Sequence, residues 1–276
     1  MLEICHLYRK FGKKEVLKDI SYTFENGVYG LLGPNGAGKT TFIRCILDLY
    51  SYQGEIRTDS TGKSTKNTTM KIGYLPQKSG CFPGLTVEEQ LLYFANMKEI
   101  EKDKQNSEVD RVLQLVNLED KKKEKGRKLS GGMVRRLGIA QALLDKPDLV
   151  IFDEPTTGLD PEERMRFKNI LKKIGQDAIV ILSTHIVEDI EVVCDKILIM
   201  KEGKLIATGT QEEIKSFADN KVFEVTMENA ENADYIEKEV TQDKVRVLSK
   251  NKLEGEAKEP TIEDGYLCIL KDIVDC

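Results

Sequence analysis

Tryptophan is absent from the chain, and histidine is nearly so. The only histidines are His6 and His185, and no two of the six cysteines form a Cys-x-x-Cys pair. A zinc site at the usual ligand spacing is therefore excluded. Free thiols in a reducing compartment are the expected state of the cysteines, which are Cys5, Cys45, Cys81, Cys194, Cys268 and Cys276.

Long apolar runs are missing as well. A membrane-spanning helix needs about 18–20 consecutive apolar residues, whereas the longest apolar stretches here, such as 28–32, 149–152 and 178–182, are strand-sized. The opening MLEICHLYRKFG lacks the apolar centre of a secretion signal. We therefore expect a protein that reaches any membrane only through a partner.

Positive charge does not dominate the chain. Lys and Arg total 42 against 47 Asp and Glu, which gives a formal net charge of −5. General nucleic-acid binders are usually basic, so we expect no nucleic-acid partner. The basic run 121–128, KKKEKGRK, is then expected to be a solvated linker, because a lone run in an acidic chain is weak evidence of such a site.

What is present indicates an α/β protein. The alternation around Ile20, Tyr22 and Phe24 predicts a half-buried strand that pairs with another near Leu2 in a small antiparallel sheet. A mostly helical block, 84–144, interrupts a second set of strands. The strands of that set are predicted at 28–32, 72–75, 149–152, 178–182 and 197–200.

The strongest motif is the glycine-rich segment 33–40, GPNGAGKT, which fits G-x-x-x-x-G-K-[ST]. Its glycines allow the loop to fold around phosphates with its amide groups pointing inward. Lys39 supplies a charge for the β- and γ-phosphates, and the Thr40 hydroxyl suits Mg²⁺. An apolar strand precedes the loop, and apolar residues at helical spacing follow it as far as Tyr50. The sequence therefore predicts a nucleotide site here.

A second motif is the strand 149–152, which ends in Asp153 and Glu154. Alone, two carboxylates after an apolar strand usually mark a strand that meets solvent. Beside a phosphate loop, Asp153 suits the Mg²⁺ shell, and Glu154 is placed to orient or deprotonate a water.

Three further signals are weak when taken singly. The segment 129–132, LSGG, is an ordinary helix start with Ser130 as the N-cap, although its glycine amides also suit an anion. Gln77 after a strand and a proline carries no meaning alone. His185, after the strand 178–182 and before a predicted helix that includes Ile190 and Val193, is usually a capping or surface residue.

Taken together, their order strongly resembles the nucleotide-binding subunit of ABC transporters. The order is phosphate loop, Gln77, Leu-Ser-Gly-Gly, Asp153-Glu154, Gly158-Leu159-Asp160 and His185. The resemblance covers residues 1–218. The segments 30–41 and 260–267 look most like bacterial drug, antibiotic-resistance and bacteriocin-immunity exporters.

That resemblance implies a fold and a division of the chain. Residues 1–218 would form a P-loop NTPase core with an N-terminal antiparallel β subdomain and an α-helical subdomain inserted at about 79–145. Residues 219–276 would form a small C-terminal α+β appendage, with Thr261 capping a last helix that runs to about Ile273.

The resemblance also implies an ATP site. Phe11 would stack on adenine, and Val16 would flank the base or ribose. Glu154 would be the catalytic carboxylate, aided by His185 at the γ-phosphate and by Gln77. Mg²⁺ would be held by Thr40, Gln77 and Asp153. The phosphates would be held by the loop residues Gly33, Asn35, Gly36, Ala37, Gly38, Lys39, Thr40 and Thr41.

Part of the site would come from a second chain. Ser130, Gly131 and Gly132 would bind the γ-phosphate of the ATP held by the opposite subunit, and Asp160 would lie in the loop that crosses the interface. Two departures from the family pattern stand out. Met133 replaces the usual Gln and lacks its hydrogen-bonding groups, which puts contacts to the ribose or across the interface in doubt, and Phe11 replaces the more frequent Tyr.

The implied protein is an ATPase that uses ATP and Mg²⁺, pairs as a homodimer or with another cassette, and drives a separate transmembrane permease. It would sit at the cytoplasmic face of a bacterial cell membrane and export its cargo. The alternatives are an importer cassette, a soluble ABC ATPase acting on ribosomes or DNA, and a non-catalytic nucleotide binder, which intact Lys39, Asp153, Glu154 and His185 disfavour.

Overall fold

The computed structural model describes residues 1–58, 63–64, 70–156, 159–191, 193–227, 229, 237–240 and 244–271. Gly158, Ile273 and Cys276 lie outside these residues. The described cysteines are free thiols, as expected. Within the described ranges the strands form three sheets.

The first sheet is antiparallel, with the strand order β2-β1-β4-β5. Leu2 pairs with Phe24, and Phe11 pairs with Lys14 at the hairpin. Ile20 and Phe24 are buried and Tyr22 is half-buried on the same face, as the alternation predicts. Leu17 is buried as well, because the pairing register shifts between Leu17 and Ile20, where Asp19 has φ +54°. Its strands are β1 (Leu2–Phe11), β2 (Lys14–Phe24), β4 (Gln53–Thr58) and β5 (Lys63–Ser64).

The second sheet has the order β10-β9-β3-β8-β7-β6 and is parallel except for β10, which returns antiparallel to β9. Every residue of β3 and β8 is buried, as expected of parallel strands covered on both faces. The loops after β3, β6, β7 and β8 therefore meet at one edge. The strands are β3 (Gly27–Leu32), β6 (Ile72–Leu75), β7 (Leu149–Asp153), β8 (Ile179–Thr184), β9 (Lys196–Lys201) and β10 (Lys204–Gly209).

Helix α1 (Lys39–Ile46) follows the phosphate loop but is shorter than the sequence predicts. The prediction of a helix that extends to Tyr50 is wrong, because α1 ends at Ile46. Asp48 adopts a left-handed backbone, φ +54°, which an α-helix cannot contain. Tyr50 instead packs edge-on against the ring of Phe11, 5.3 Å away between ring centroids.

The predicted helical block is confirmed and comprises α2 (Val87–Met97), α3 (Lys102–Val116) and α4 (Gly131–Ala142), with 3₁₀ turns at Glu119–Lys121 and Gly126–Lys128. A capping box between Thr86 and Glu89 starts α2, as the residue types Thr and Glu three positions apart predict.

The basic run lies in and beside the 3₁₀ turns of this block. Lys122 and Lys123 both pair with Glu88 of α2, and Lys128 pairs with Glu124. Much of the run's charge is therefore offset by neighbouring carboxylates on the surface.

Helices α5 (Pro161–Gly175) and α7 (Gln211–Ser216) pack around the sheet. The helix predicted after His185 is much shorter than expected, since α6 covers only Glu188–Glu191. Its buried Ile190 still fills the core, where it closely approaches Gly30. None of the helices in the described ranges has the length and apolarity to cross a membrane.

The C-terminal sheet is antiparallel, with the order β12-β13-β11-β14. Helix α8 (Ile262–Leu270) begins at the predicted Thr261 cap. It packs against α7, and Ile262 and Tyr266 join the main hydrophobic core. The last helix thus fastens this region to the rest of the chain. The strands are β11 (Val222–Val225), β12 (Glu237–Val240), β13 (Val245–Leu248) and β14 (Glu256–Ala257).

Candidate active site

A cavity of about 290 Å³ opens at the edge of the parallel sheet where the predicted site residues converge. The sheet topology explains the convergence, because the carboxyl ends of β3, β6 and β7 meet there. Its walls are Lys14, Val16, Pro34, Asn35, Gly36, Ala37, Gly38, Lys39, Thr40, Thr41, Gln77, Asp153 and Glu154.

The phosphate loop uses its Ala37 amide internally, since that amide donates to the Pro34 carbonyl at 3.1 Å, but it leaves the start of α1 uncapped. Gly36 and Gly38 have φ of +83° and +108°, which side-chain-bearing residues rarely adopt. Gly38 is the N-cap of α1, and no side chain caps that helix. The first-turn amides and the positive end of the helix dipole therefore face the cavity, as an anion site requires.

The Lys39 side chain folds back onto the phosphate loop and binds two of its main-chain carbonyls. Its ammonium group is buried and donates to the carbonyl oxygens of Gly33 at 2.5 Å and Pro34 at 3.4 Å. Burial lowers the pKa of Lys39, while the nearby carboxylates of Glu154 and Asp153 oppose that shift. Gly33 therefore acts through its carbonyl and does not itself line the cavity.

Asp153 and Thr40 meet across the cavity, with 3.4 Å between Thr40 Oγ1 and Asp153 Oδ2. Burial raises the pKa of Asp153, and neighbouring Glu154 raises it further, whereas Thr40 and Lys39 oppose the shift. Hydroxyl and carboxylate oxygens are the donors that Mg²⁺ prefers. The oxygens of Thr40 and Asp153 therefore fit a divalent cation. The buried Oε2 atom of Glu154 has no hydrogen-bond partner among the described residues.

Glu154 and His185 form a pair, with 2.8 Å between Glu154 Oε1 and His185 Nδ1. Glu154 has a left-handed backbone, φ +51°, and its amide donates to the Ser183 carbonyl at 2.8 Å. This turn directs the carboxylate into the cavity beside the half-exposed imidazole. The pair can orient a water and accept its proton.

The two residues predicted on the adenine side, Phe11 and Val16, lie differently relative to the cavity. Val16 lines the cavity, and so does Lys14, which lies two residues earlier on the same face of β2 and which the sequence analysis missed. Phe11 is 42% exposed and outside the cavity wall. The guanidinium group of Arg9 lies 4.4 Å from its ring centroid, so one face of the ring is already covered.

The Ser-Gly-Gly segment does not line this cavity. Ser130 caps α4, since its hydroxyl accepts from the Met133 amide at 3.2 Å. A β-carbon added at Gly132 would lie 2.8 Å from Oε2 of Glu163. Asp160 is used within the chain as well, because its carboxylate caps α5 by accepting from the Glu163 amide.

Arg135 is the buried residue of this region that sequence reasoning missed. Its guanidinium group donates to carbonyl oxygens of the loops that carry Gln77 and Glu154. The available signal was its spacing, because it lies three and four residues before Gly138 and Ile139 on the buried face of α4.

Comparison with known proteins agrees with this geometry. The model of the ABC transporter family matches residues 17–157. The linearmycin resistance ATP-binding protein LnrL of Bacillus subtilis is 37% identical over 221 residues, 78% of this chain and 71% of that protein. The Nod factor export ATP-binding protein I of Burkholderia lata is 35% identical over 213 residues, 75% and 70% of the two chains.

A solved structure described as the ATP binding subunit of an ABC transporter superposes with a TM-score of 0.70 at 28% identity and covers 78% of this chain and 92% of that one. Sequence, fold and site therefore agree. The chain belongs to the ABC transporter family, as one of its ATP-binding, ATP-hydrolysing subunits.

Proposed function

We propose that the chain powers an exporter by closing with a second cassette around ATP and reopening after hydrolysis. The observation that carries this proposal is the separation, on one chain, of the two segments that we expect to bind phosphate. The phosphate loop lines the cavity, whereas Ser130, Gly131 and Gly132 lie outside it. An isologous dimer would bring the second site of each chain to the first site of its partner and create two composite sites.

The residues have distinct roles in this proposal. The loop amides and Lys39 bind the phosphates, and Thr40, Gln77 and Asp153 hold Mg²⁺, which neutralises phosphate charge when it is bound. Glu154 accepts the proton of the attacking water, and His185 holds the Glu154 carboxylate and the γ-phosphate in register. Phe11 stacks on adenine through the face that Arg9 leaves open.

Two regions would link this cycle to its surroundings. Gln77 begins the connection from β6 into the helical block, so that block is placed to transmit closure to a separate permease. Residues 1–218 would be the cassette and 219–276 a small accessory region. The resistance and export named for LnrL and the Nod factor protein support export from the cytoplasmic face of a bacterial membrane.

Glu154→Gln tests the ATP cycle. Losing a general base slows hydrolysis about 100- to 10,000-fold, while ATP still binds. The variant should accumulate as a dimer with ATP in sedimentation experiments and remain monomeric without it. Hydrolysis near the wild-type rate would show that Glu154 is not the base, and a monomer at saturating ATP would count against the two-chain site.

The direction of transport needs a different measurement. The tagged full chain, purified from bacterial membranes, should bring down a permease with several membrane spans. Recovery of a solute-binding protein with that permease would instead favour the importer alternative. Recovery of ribosomes or DNA in place of a permease would favour the soluble ATPase.

A further inference from the structure

Arg135 of helix α4 is buried against two loops of its own chain, with 7% of its surface exposed. It donates to the Pro76 and Gln77 carbonyls at 3.0 and 3.1 Å on one side. On the other side it donates to three consecutive carbonyls, those of Asp153 at 3.1 Å, Glu154 and Pro155 at 2.9 Å. One guanidinium group thus joins the Gln77 loop to the Glu154 turn.

The geometry of this contact requires arginine. Five N–H donors in a planar fork reach acceptors on two sides of the group, whereas lysine offers three donors at one point. The acceptors are main-chain carbonyls except for Ser79 Oγ, 3.3 Å from Nη1. Removing the fork would leave several buried carbonyls without this donor.

The turn that Arg135 holds is a strained one. Glu154 has φ +51°, a region that non-glycine residues occupy rarely and that persists only where surrounding contacts determine it. Three of those contacts come from Arg135, and a fourth is the bond from the Glu154 amide to Ser183. Arg135 therefore holds the main chain of the turn from which the Glu154 side chain projects, whereas the carboxylate itself contacts His185.

The same helix is closely seated on the strand that leads to Gln77. A β-carbon added at Gly138 would lie 2.7 Å from Leu75 Cδ1. Helix α4 also begins within the Ser-Gly-Gly segment, at Gly131, four residues before Arg135. A displacement of α4 would thus move the Gln77 loop and the Glu154 turn together.

We propose that Arg135 is a positioning residue for hydrolysis, which holds the Glu154 turn and the Gln77 loop in their working arrangement and ties both to the placement of α4. The inference rests on the proposed role of Glu154 as the base. Arg135 acts through the main chain of the two loops and does not itself line the nucleotide cavity.

The test compares Arg135→Gln and Arg135→Lys with Arg111→Gln in the full chain with Mg²⁺ and ATP. Arg111 is a matched control, since it also donates to a main-chain carbonyl, that of Leu143 at 2.7 Å, and pairs with Glu108, but lies on α3 away from the cavity. A misplacement of about 1 Å costs roughly 100-fold in rate. We expect Arg135→Gln to lose about that much kcat, Arg135→Lys to recover part of it and Arg111→Gln to lose none.

Two readouts separate positioning from general stability. KM and the ATP dissociation constant should stay within about threefold of wild type, since the phosphate loop is intact, although a loss of stability is expected in all three variants. In single-turnover assays, adding Arg135→Gln to Glu154→Gln should slow hydrolysis by much less than Arg135→Gln slows the wild type. The share of its effect that runs through Glu154 is already lost in that background, and only the share that runs through the Gln77 loop remains.

Each result decides a separate claim. Wild-type hydrolysis by Glu154→Gln would overturn the proposed base. A slow Glu154→Gln whose loss multiplies with that of Arg135→Gln would overturn the inference alone. Equal losses of kcat in Arg135→Gln and Arg111→Gln, or failure of both Arg135 variants to fold, would also overturn it and make Arg135 a purely structural residue.

Discussion

The chain carries two glycine-rich loops, each of which opens a helix, and they differ in what already occupies them. At the phosphate loop no side chain caps α1, and the buried Lys39 ammonium adds positive charge. At the second loop the Ser130 hydroxyl already accepts the Met133 amide. The carboxylate of Glu163 lies against Gly132 there and pairs with Arg136 at 3.1 Å.

The difference shows that a glycine-rich helix start is not sufficient for anion binding. The first loop combines free amides, a lysine and a cavity, so it can hold a polyphosphate within one chain. In the second loop the Ser130 hydroxyl already caps the helix, and the Glu163 carboxylate lies beside Gly132. The negative charge of that carboxylate disfavours the binding of a free anion. In the proposed dimer the second loop would meet a phosphate that the partner chain has already bound and positioned.

The largest effect that would sharpen this contrast is expected at Lys39. Lys39→Ala removes a charged donor whose hydrogen bonds contribute about 1.5–3 kcal/mol each, and it removes the same group from the transition state. We expect kcat/KM for ATP to fall about 1,000-fold or more, with ATP binding itself weakened at least tenfold.

Titration with a fluorescent ATP analogue and a steady-state ATPase assay measure the two effects. Lys13→Ala is the control, since Lys13 is an exposed lysine in the turn between β1 and β2 and does not line the cavity. Tight nucleotide binding by Lys39→Ala would remove the proposed advantage of the first loop.

A smaller effect, confined to hydrolysis, is expected at the second loop. Ser130→Arg places a large side chain where the partner's γ-phosphate would approach. It should lower kcat about 100-fold, as expected when a group that orients the transition state is lost. Nucleotide binding to the monomer should be unchanged, because Ser130 does not line the cavity.

Nucleotide binding and hydrolysis are measured on the same preparation. Binding is measured at a protein concentration too low for dimers to form, and hydrolysis is measured at a high protein concentration. If Ser130→Arg weakened monomer binding as much as it slowed hydrolysis, the two loops would serve one chain and the contrast would be broken.

The smallest expected effect concerns Glu163. Glu163→Gln removes negative charge beside Gly132 while its amide oxygen can still accept from the Asp160 backbone. In the Glu154→Gln background we expect ATP-dependent dimerisation to strengthen about two- to fivefold at low salt, and the gain to shrink as salt screens the charge. Sedimentation equilibrium at two salt concentrations measures this, and weaker dimerisation at both would assign Glu163 a supporting role.

The catalytic centre was predictable because its signals are local. A strand, a glycine loop and a helix follow one another from Gly27 to Ile46, and Asp153 and Glu154 follow directly on a buried strand. Parallel pairing then places these segments at one edge of the sheet. Capping residues such as Thr86 and Thr261 were predictable for the same reason.

What escaped prediction depends on contacts between distant segments. Helix α1 ends before Tyr50, whose hydroxyl accepts from Arg44 and whose ring packs on Phe11. The guanidinium group of Arg9, which lies on the same strand as Phe11, contacts the Phe11 ring and belongs to this cluster too. The role of Arg135 was equally hidden, because its acceptors are main-chain oxygens that leave no mark in the sequence.

The use of main-chain carbonyls as acceptors also affects how an arginine with this role could be recognised in another protein or introduced by design. Because the Arg135 guanidinium group binds main-chain carbonyls, its contacts depend on the course of the backbone. Most side chains of the two loops can therefore change without removing these contacts. Pro76 and Pro155 each contribute one of those carbonyls, and their fixed φ angles stiffen the path. Among the side chains of the two loops, Ser79 alone accepts a hydrogen bond from Arg135 in the described residues, so a designer would need to copy the backbone shapes of two turns together with one arginine.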